Sequence, residues 1–219
     1  MNKSLNEILK KHELWMQGRE YGKRADLRYA DLRNANLQNI VLQFASLQYA
    51  HLEYVNLQGA DLRYADLRGA DLEDADLQGA NLYETNLQGA NLKNTNLSGA
   101  ILGCTTLRES NIEHANLTTI KNDIWSILEK AKPEVPGLLQ ALKEGRVDGS
   151  VYEGECACLV GTIANLRNTK YDQLEDIVPN TKRPAECWFT GIEEGDTPEN
   201  NPIVKITVGW VEEFLSLNL

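Results

Sequence analysis

Leucine recurs at every fifth position from Leu27 to Leu117, with Ile112 as the single exception, and the residue two before it is short. That position is alanine in thirteen of nineteen consecutive units and otherwise Ile40, Val55, Thr85, Thr95, Thr105 or Ser110. Between the two sits a polar residue in all units but those of Val41 and Ile101, most often Asp or Asn, as in ADLRYADLRGADLEDADLQGANL (60–82). A helix repeats its buried face about every 3.6 residues and a strand every 2, so a period of five fits neither. A chain that buries two residues in five and turns a corner after each unit can instead wind into a square coil. The other three positions of each unit are then expected to face solvent. Gly59, Gly69, Gly79, Gly89 and Gly99 follow leucine by two residues, where a type II turn calls for positive φ.

These units, Ala25 to Thr119 without an insertion, resemble the pentapeptide-repeat family. The resemblance implies a right-handed quadrilateral parallel β-helix, a β-solenoid in which four pentapeptides make one coil and residues twenty apart stack. At the parallel inter-strand spacing of about 4.8 Å per coil, the rod is roughly 23 Å long.

The register has flanks of other character. Residues 1–24 hold an N-terminal capping helix and its lead-in. Leu5, Ile8, Leu9, His12, Trp15 and Met16 recur at helical spacing, Ser4 and Glu7 match a capping box, and Gly18 closes the helix. A cap is needed because an open coil presents unpaired strand edges. His12 on this face reads as packing rather than chemistry. Residues 120–219 lose the five-residue period and form a mostly α-helical C-terminal domain. Ile124, Ile127 and Leu128 mark one helix, and Pro136 opens another that stops at Gly145. The segment after Pro202 reads as a helix, although IVKITV alone suits a strand.

Charge narrows the function classes. The net charge is −10, made of +3 in residues 1–24, −6 in the repeats and −7 beyond them. Such an acidic chain repels phosphates, so no direct nucleic-acid binding is expected. No apolar run is long enough to span a bilayer, the first residues do not form a signal peptide, and four cysteines do not make a disulfide scaffold; a cytoplasmic home with no membrane contact follows.

Candidate chemistry is sparse. Cys156, Cys158 and Cys187 lack a histidine partner, since none lies beyond His114, and read as structural thiols with no metal. Cys104 falls at an outer corner, within reach of a histidine only through His51 or His114, and reads as a surface residue. Glu155, Arg183 and Glu186 read as solvated charges. Neither phosphate-loop glycine pattern occurs. No cofactor and no enzyme activity are expected.

The coil surface is more informative. Gln38, Gln58 and Gln78 share a column beside Asn36, Asn56, Asp76, Asn96 and Asn116, with Gly59, Gly79 and Gly99 at the corner. Stacked amides can bond to one another, or this flat face can receive the tail domain or a second copy as a homodimer. Tyr29, Phe44, Tyr49, Tyr54, Tyr64 and Tyr83 all point outward from the first three coils, with Tyr29 over Tyr49 and Phe44 over Tyr64. They suit either a protein interface or packing against the N-terminal helix.

Some members of the family, those conferring quinolone resistance, resemble duplex DNA and occupy its site on gyrase. That resemblance makes DNA mimicry an alternative function. The repeats carry twelve acidic groups, but six basic ones offset half, and Arg63 and Arg68 stand two residues from Asp61 and Asp66, where pairing is easy. The remaining acidic cluster is Asp71, Glu73, Asp74 and Asp76. The expected function is a non-enzymatic protein-interaction module that displays side chains on a rigid β-helix to a protein partner. An acidic DNA mimic regulating a DNA-handling enzyme is the first alternative, and an enzymatic activity in the C-terminal domain the second.

Overall fold

A computed structural model describes residues 3–103, 105–149, 158–177 and 184–218, apart from the side chains of residues 3, 4 and 187. The chain divides into two compact units, Met1–Leu117 and Thr118–Leu219.

The first unit is a β-solenoid. Parallel bridges join residues twenty apart, from Asp26 with Ser46 through Asn56 with Asp76 to Asn96 with Asn116. A bridge every five residues and a repeat of twenty make a four-sided coil. The leucine N–H donates to the carbonyl of the bridging residue one coil on, as Leu27 does to Ser46 at 2.7 Å. That bridging residue donates back to the small residue, as Ser46 does to Ala25 at 3.0 Å. The next small residue closes a turn on the leucine, as Ala30 does on Leu27 at 3.1 Å. Each coil thus satisfies its neighbour's backbone, which allows so short a bridge to persist.

The shaft holds the leucines and small residues. Leu42, Leu62, Leu67 and Leu87 are fully buried, each worth about 1.5–3 kcal/mol relative to an exposed side chain. Threonine is tolerated at the small position because its hydroxyl has an acceptor. Thr85, Thr95 and Thr105 donate to the carbonyls of Leu62, Leu72 and Leu82 at 2.6–2.8 Å. The bridging position departs from the expected outward exposure. Asp61, Asp66, Asp71 and Asp76 are half-buried, because the coils on either side flank them.

Helix α1 (Lys3–Met16) precedes the coil. Leu5 and His12 are buried. The helix ends as the sequence suggested: Gly18 has φ +64°, Gly18 donates to Trp15 and Arg19 to Leu14. The capping box is different. Lys3 is already helical, so Ser4 lies within the helix rather than ahead of it, and Glu7 pairs with Lys11 at 2.7 Å. The Ser4 side chain lies outside the described residues.

The second unit is helical. Its elements are α2 (Thr118–Leu128), α3 (Val135–Lys143), α4 (Leu159–Leu166), α5 (Pro184–Phe189) and α6 (Pro202–Leu217), with 3-10 turns at Lys132–Glu134 and Tyr171–Gln173. The repeat reading ran to Thr119, but Thr118 already begins α2. The residues after Leu117 have no further coil to pair with and follow the helical pattern of Ile120, Ile124 and Ile127. IVKITV is helical throughout. Asn201 caps it, its Oδ1 accepting from the N–H groups of Ile203 and Val204, and Pro202 takes the first turn. Helix α6 packs on α3, and α2 on α5, around Trp188, Phe189, Leu138, Leu142 and Val211.

Candidate protein-interaction surface

The corners of the coil decide what it displays. The residue two after each leucine takes a positive φ, between 53° and 69°, at every described corner from Tyr29 to His114. The sequence suggested this for glycine alone. The turn geometry imposes it on all residue types, because the chain must close a hydrogen bond from the next small residue to the leucine carbonyl. For a non-glycine residue the left-handed conformation costs roughly 1–2 kcal/mol. Glycine fills the corners at positions 59, 69, 79, 89 and 99, whereas Tyr29, Phe44, Tyr49, Tyr54 and Tyr64 fill most of the earlier ones.

The stacks form as the twenty-residue register requires. Tyr29 and Tyr49 lie with ring centroids 5.3 Å apart and planes 10° from parallel, and Phe44 and Tyr64 lie 4.8 Å apart at 4°. Tyr83 meets Tyr64 edge-on at 6.0 Å. The Tyr49 ring also covers Gly69, where a Cβ would come within 2.5 Å of it. These two ridges border one side of the coil, the side carrying Leu27, Leu47 and Leu67, with Arg28, Gln48 and Arg68 between them. Tyr54 stands one corner further on, and Asp74 one coil above it holds its phenol above the ordinary value through its charge and a hydrogen bond. Tyr29, Tyr54 and Tyr49 are 69%, 61% and 54% exposed.

Packing against α1 accounts for part of the set. Trp15 meets the edge of Phe44 at 6.1 Å and stacks on His12 at 5.7 Å, so the Phe44 ridge starts at the helix. The sequence placed Trp15 on the helix face but not in this chain of rings. It also missed that His12 Nδ1 accepts the Ala25 N–H at 3.1 Å, because nothing local marks a contact across thirteen residues.

Charge is distributed unevenly over the four sides. The side of Leu32, Leu52, Leu72, Leu92 and Ile112 carries six of the twelve acidic groups and two of the six basic ones, hence −4 of the repeats' −6. A shallow depression of about 610 Å³ lies there, lined by Asp31, Arg33, Asn34, Glu53, Tyr54, Asp71 and Glu73. The four candidate acids do not form one surface. Asp71 and Glu73 both accept from the Asn91 amide, at 2.9 and 3.2 Å, and Lys93 stands 3.7 Å from Glu73. Asp76 lies on the next side, where it accepts from Gln58 at 2.6 Å and Asn96 at 3.0 Å. That side is the amide column, and its members bond to one another: Gln38 to Gln58 at 3.3 Å and Asn116 to Asn96 at 3.2 Å.

Arginine clamps remove further charge. Arg28, Arg33, Arg63 and Arg68 each grip the aspartate two residues earlier with two nitrogens at 2.6–2.9 Å. The guanidinium hydrogen bonds hold the Asp26 and Asp31 carboxyls down at about 2.

In the second unit, Cys158 is buried and caps α4, and burial followed by the Glu186 charge pushes its thiol up to about 12. A thiol so held is not a nucleophile at neutral pH. Cys104, Glu155, Cys156 and Arg183 lie outside the described residues, as does the Cys187 side chain. Among the described residues no group of three or more His, Cys, Asp or Glu is placed to hold a metal ion. Nor is any described helix long and apolar enough to cross a membrane.

Comparison with known proteins places the repeats. The family model of pentapeptide repeats matches in eight copies over residues 25–63, 41–79, 65–103 and 85–119. Among solved structures, a pentapeptide repeat protein of the Arabidopsis thaliana thylakoid lumen is 38% identical over 41% of this chain and 63% of its own, with TM-score 0.40. A pentapeptide repeat protein from Nostoc is 34% identical over 48% and 71%, with TM-score 0.21. A trypsin-treated form of a plasmid-mediated fluoroquinolone resistance protein is 22% identical over 43% and 56%, with TM-score 0.27. This chain therefore spans less than two-thirds of the thylakoid and resistance proteins. No curated protein matches it significantly.

Proposed function

The chain belongs to the pentapeptide-repeat family through residues 25–119, and from that premise we propose that it is a non-enzymatic protein-interaction module whose coil presents two aromatic ridges to a protein partner. The observation that carries this reading is the choice of residue at the positive-φ corners. Glycine serves there at no steric cost, yet five early corners hold exposed aromatic side chains. Ring stacking of about 0.5–1.5 kcal/mol per pair offsets only part of the backbone cost. Folding alone does not favour Tyr54, Tyr49 or Tyr29 over glycine, whereas recognition does. Tyrosine supplies a large contact area with few torsions to freeze, and a rigid coil holds the rings in place before binding.

The test is a pull-down from a lysate of the source organism with the full chain and with a variant carrying Tyr49→Ala, Tyr54→Ala and Tyr64→Ala. Partners captured by the parent should be lost by the variant while its circular dichroism is unchanged. Retention of the same partners would remove the ridges from the interface.

A second reading, an acidic DNA mimic acting on an enzyme such as gyrase, draws support from the net −4 on the Leu32 side. The clamped Asp31 and the Lys93 beside Glu73 weigh against it. Changing Asp71, Glu73, Asp74 and Asp76 to Lys should then abolish inhibition in a gyrase supercoiling assay. An absence of inhibition by the parent would end this reading.

A further inference from the structure

The first turn of the coil is completed from outside the register. From Ala30 onward, the N–H of each small residue bonds to the carbonyl of the leucine three residues earlier. Ala25 opens the register, and the residue three before it is Gly22. His12 Nδ1 takes the Ala25 N–H instead, at 3.1 Å. A ring nitrogen that accepts a hydrogen bond carries no proton, so the neutral imidazole holds its proton on Nε2. His12 is 1% exposed, and Nε2 is buried without a hydrogen-bond partner. A second hydrogen bond between the helix and the lead-in, from Lys23 N–H to the Lys11 carbonyl at 2.9 Å, lies beside it.

Among the described residues no acidic side chain is hydrogen-bonded to the ring. Trp15 stacks on the ring. From the lead-in, the positive Arg24 adds to burial in holding the ring below its ordinary value. Asp26, the acid next to Ala25 in the chain, has both oxygens held by Arg28 at 2.7–2.8 Å. On the helix itself, Glu7 is engaged by Lys11 and Glu13 by Gln17.

We propose that His12 is a pH-sensitive latch between α1 and the first coil. A second proton on the ring goes to Nδ1, which turns the acceptor into a donor facing the Ala25 N–H. It also places a cation in a buried site, and the helix lets go. Because the closed form disfavours the added proton, the released form takes it more readily. The latch therefore holds above the ordinary imidazole range near about 6.5 and loosens as pH falls below it. Release frees Phe44 from Trp15 and uncovers the buried Ala25 at the edge of the first coil, which a second copy can pair with.

Amide hydrogen exchange on the full chain across pH 8 to 5, corrected for intrinsic exchange, tests this. Protection of Ala25 and of the α1 amides should fall by up to about tenfold per pH unit, the slope that one coupled proton sets, while Leu67 keeps its protection. The midpoint should coincide with the His12 ring titration followed by NMR. His12→Gln keeps an acceptor but gains no proton, so its protection should be equal at pH 5 and pH 8. Unchanged protection in the parent, or the same pH dependence in His12→Gln, overturns the latch. If His12→Gln is already open at pH 8, the parent decides: coincident midpoints uphold the latch, and separated midpoints overturn it.

Discussion

The coil and the helical unit solve the burial of a core in opposite ways. In the coil, each residue meets its own equivalents twenty positions away, so leucine packs on leucine and one hydrogen-bond scheme repeats without change. In the helical unit, each contact is unique. The Trp188 indole donates to the Thr207 hydroxyl at 2.8 Å, Thr207 donates to the Ile203 carbonyl at 2.7 Å, and Trp125 donates to the Trp210 carbonyl at 3.1 Å. Repetition lets the coil vary its surface freely while the shaft stays constant. The helical unit has no such division, because its polar anchors are themselves part of the core.

The largest expected effects test whether the two cores are separate. Leu67→Ala at the centre of the coil should cost about 2–5 kcal/mol, since rungs on both sides prevent closure around the hole. Phe189→Ala should cost about 3–5 kcal/mol. Urea melts measure both. Hydrogen exchange should place the second loss in Thr118–Leu219 alone, and weakened protection at Leu67 in the Phe189 variant would show that the units unfold together.

A threonine in each unit sharpens the contrast. Thr207→Val should cost about 1–3 kcal/mol, because it strands the buried Trp188 N–H. Thr95→Ala should cost less than about 1 kcal/mol, because the Leu72 carbonyl keeps the Ala75 N–H and alanine is the usual residue at that position. Equal losses in thermal melts would mean that the coil does not buffer substitution as its repetition implies.

Corner exchange comes next. Gly69→Ala should destabilise by about 1–2 kcal/mol, from its φ of +63° and the displaced Tyr49 ring. Glu84→Gly, at φ +53°, should stabilise by up to about 1 kcal/mol. Opposite signs in a urea melt support the strained-corner account, and a loss in Glu84→Gly would contradict it.

The smallest effect belongs to the arginine clamps. The Asp31 carboxyl is held at about 2 by Arg33, well below its unfolded value, so its contribution is present above that unfolded value of about 3.9 and fades as pH falls toward 2. Asp31→Asn should flatten the acid side of the stability profile slightly and leave the neutral side unchanged. An unaltered acid slope would assign no stability to the clamp.

What could be read beforehand follows the same division. The leucine register specified which residues stack, and the Tyr29–Tyr49 and Phe44–Tyr64 pairs come directly from a period of twenty. The proximity of Arg63 to Asp61 within one unit was enough to expect pairing. The capping box at Ser4 was misread because the motif is local, whereas the helix begins earlier, at Lys3. The four neighbouring acids were legible as a cluster in sequence, but not their division by a corner, which separates Asp76 from Asp71 and Glu73.

By itself, then, the sequence determined the solenoid, its leucine shaft, the columns on its sides and the helical character of residues beyond the repeats. Those features rest on interactions repeated at constant spacing, so a single chain states them many times over. Only the tertiary structure decided that every described corner, tyrosine included, takes positive φ, that His12 supplies the acceptor missing from the first turn, and that the repeat yields to α2 at Thr118. Each of these arises where the repetition ends or is constrained as a whole, at a turn that must close or at a terminal rung with no neighbour. There a backbone group must find its partner across space, and no local pattern names which residue will provide it.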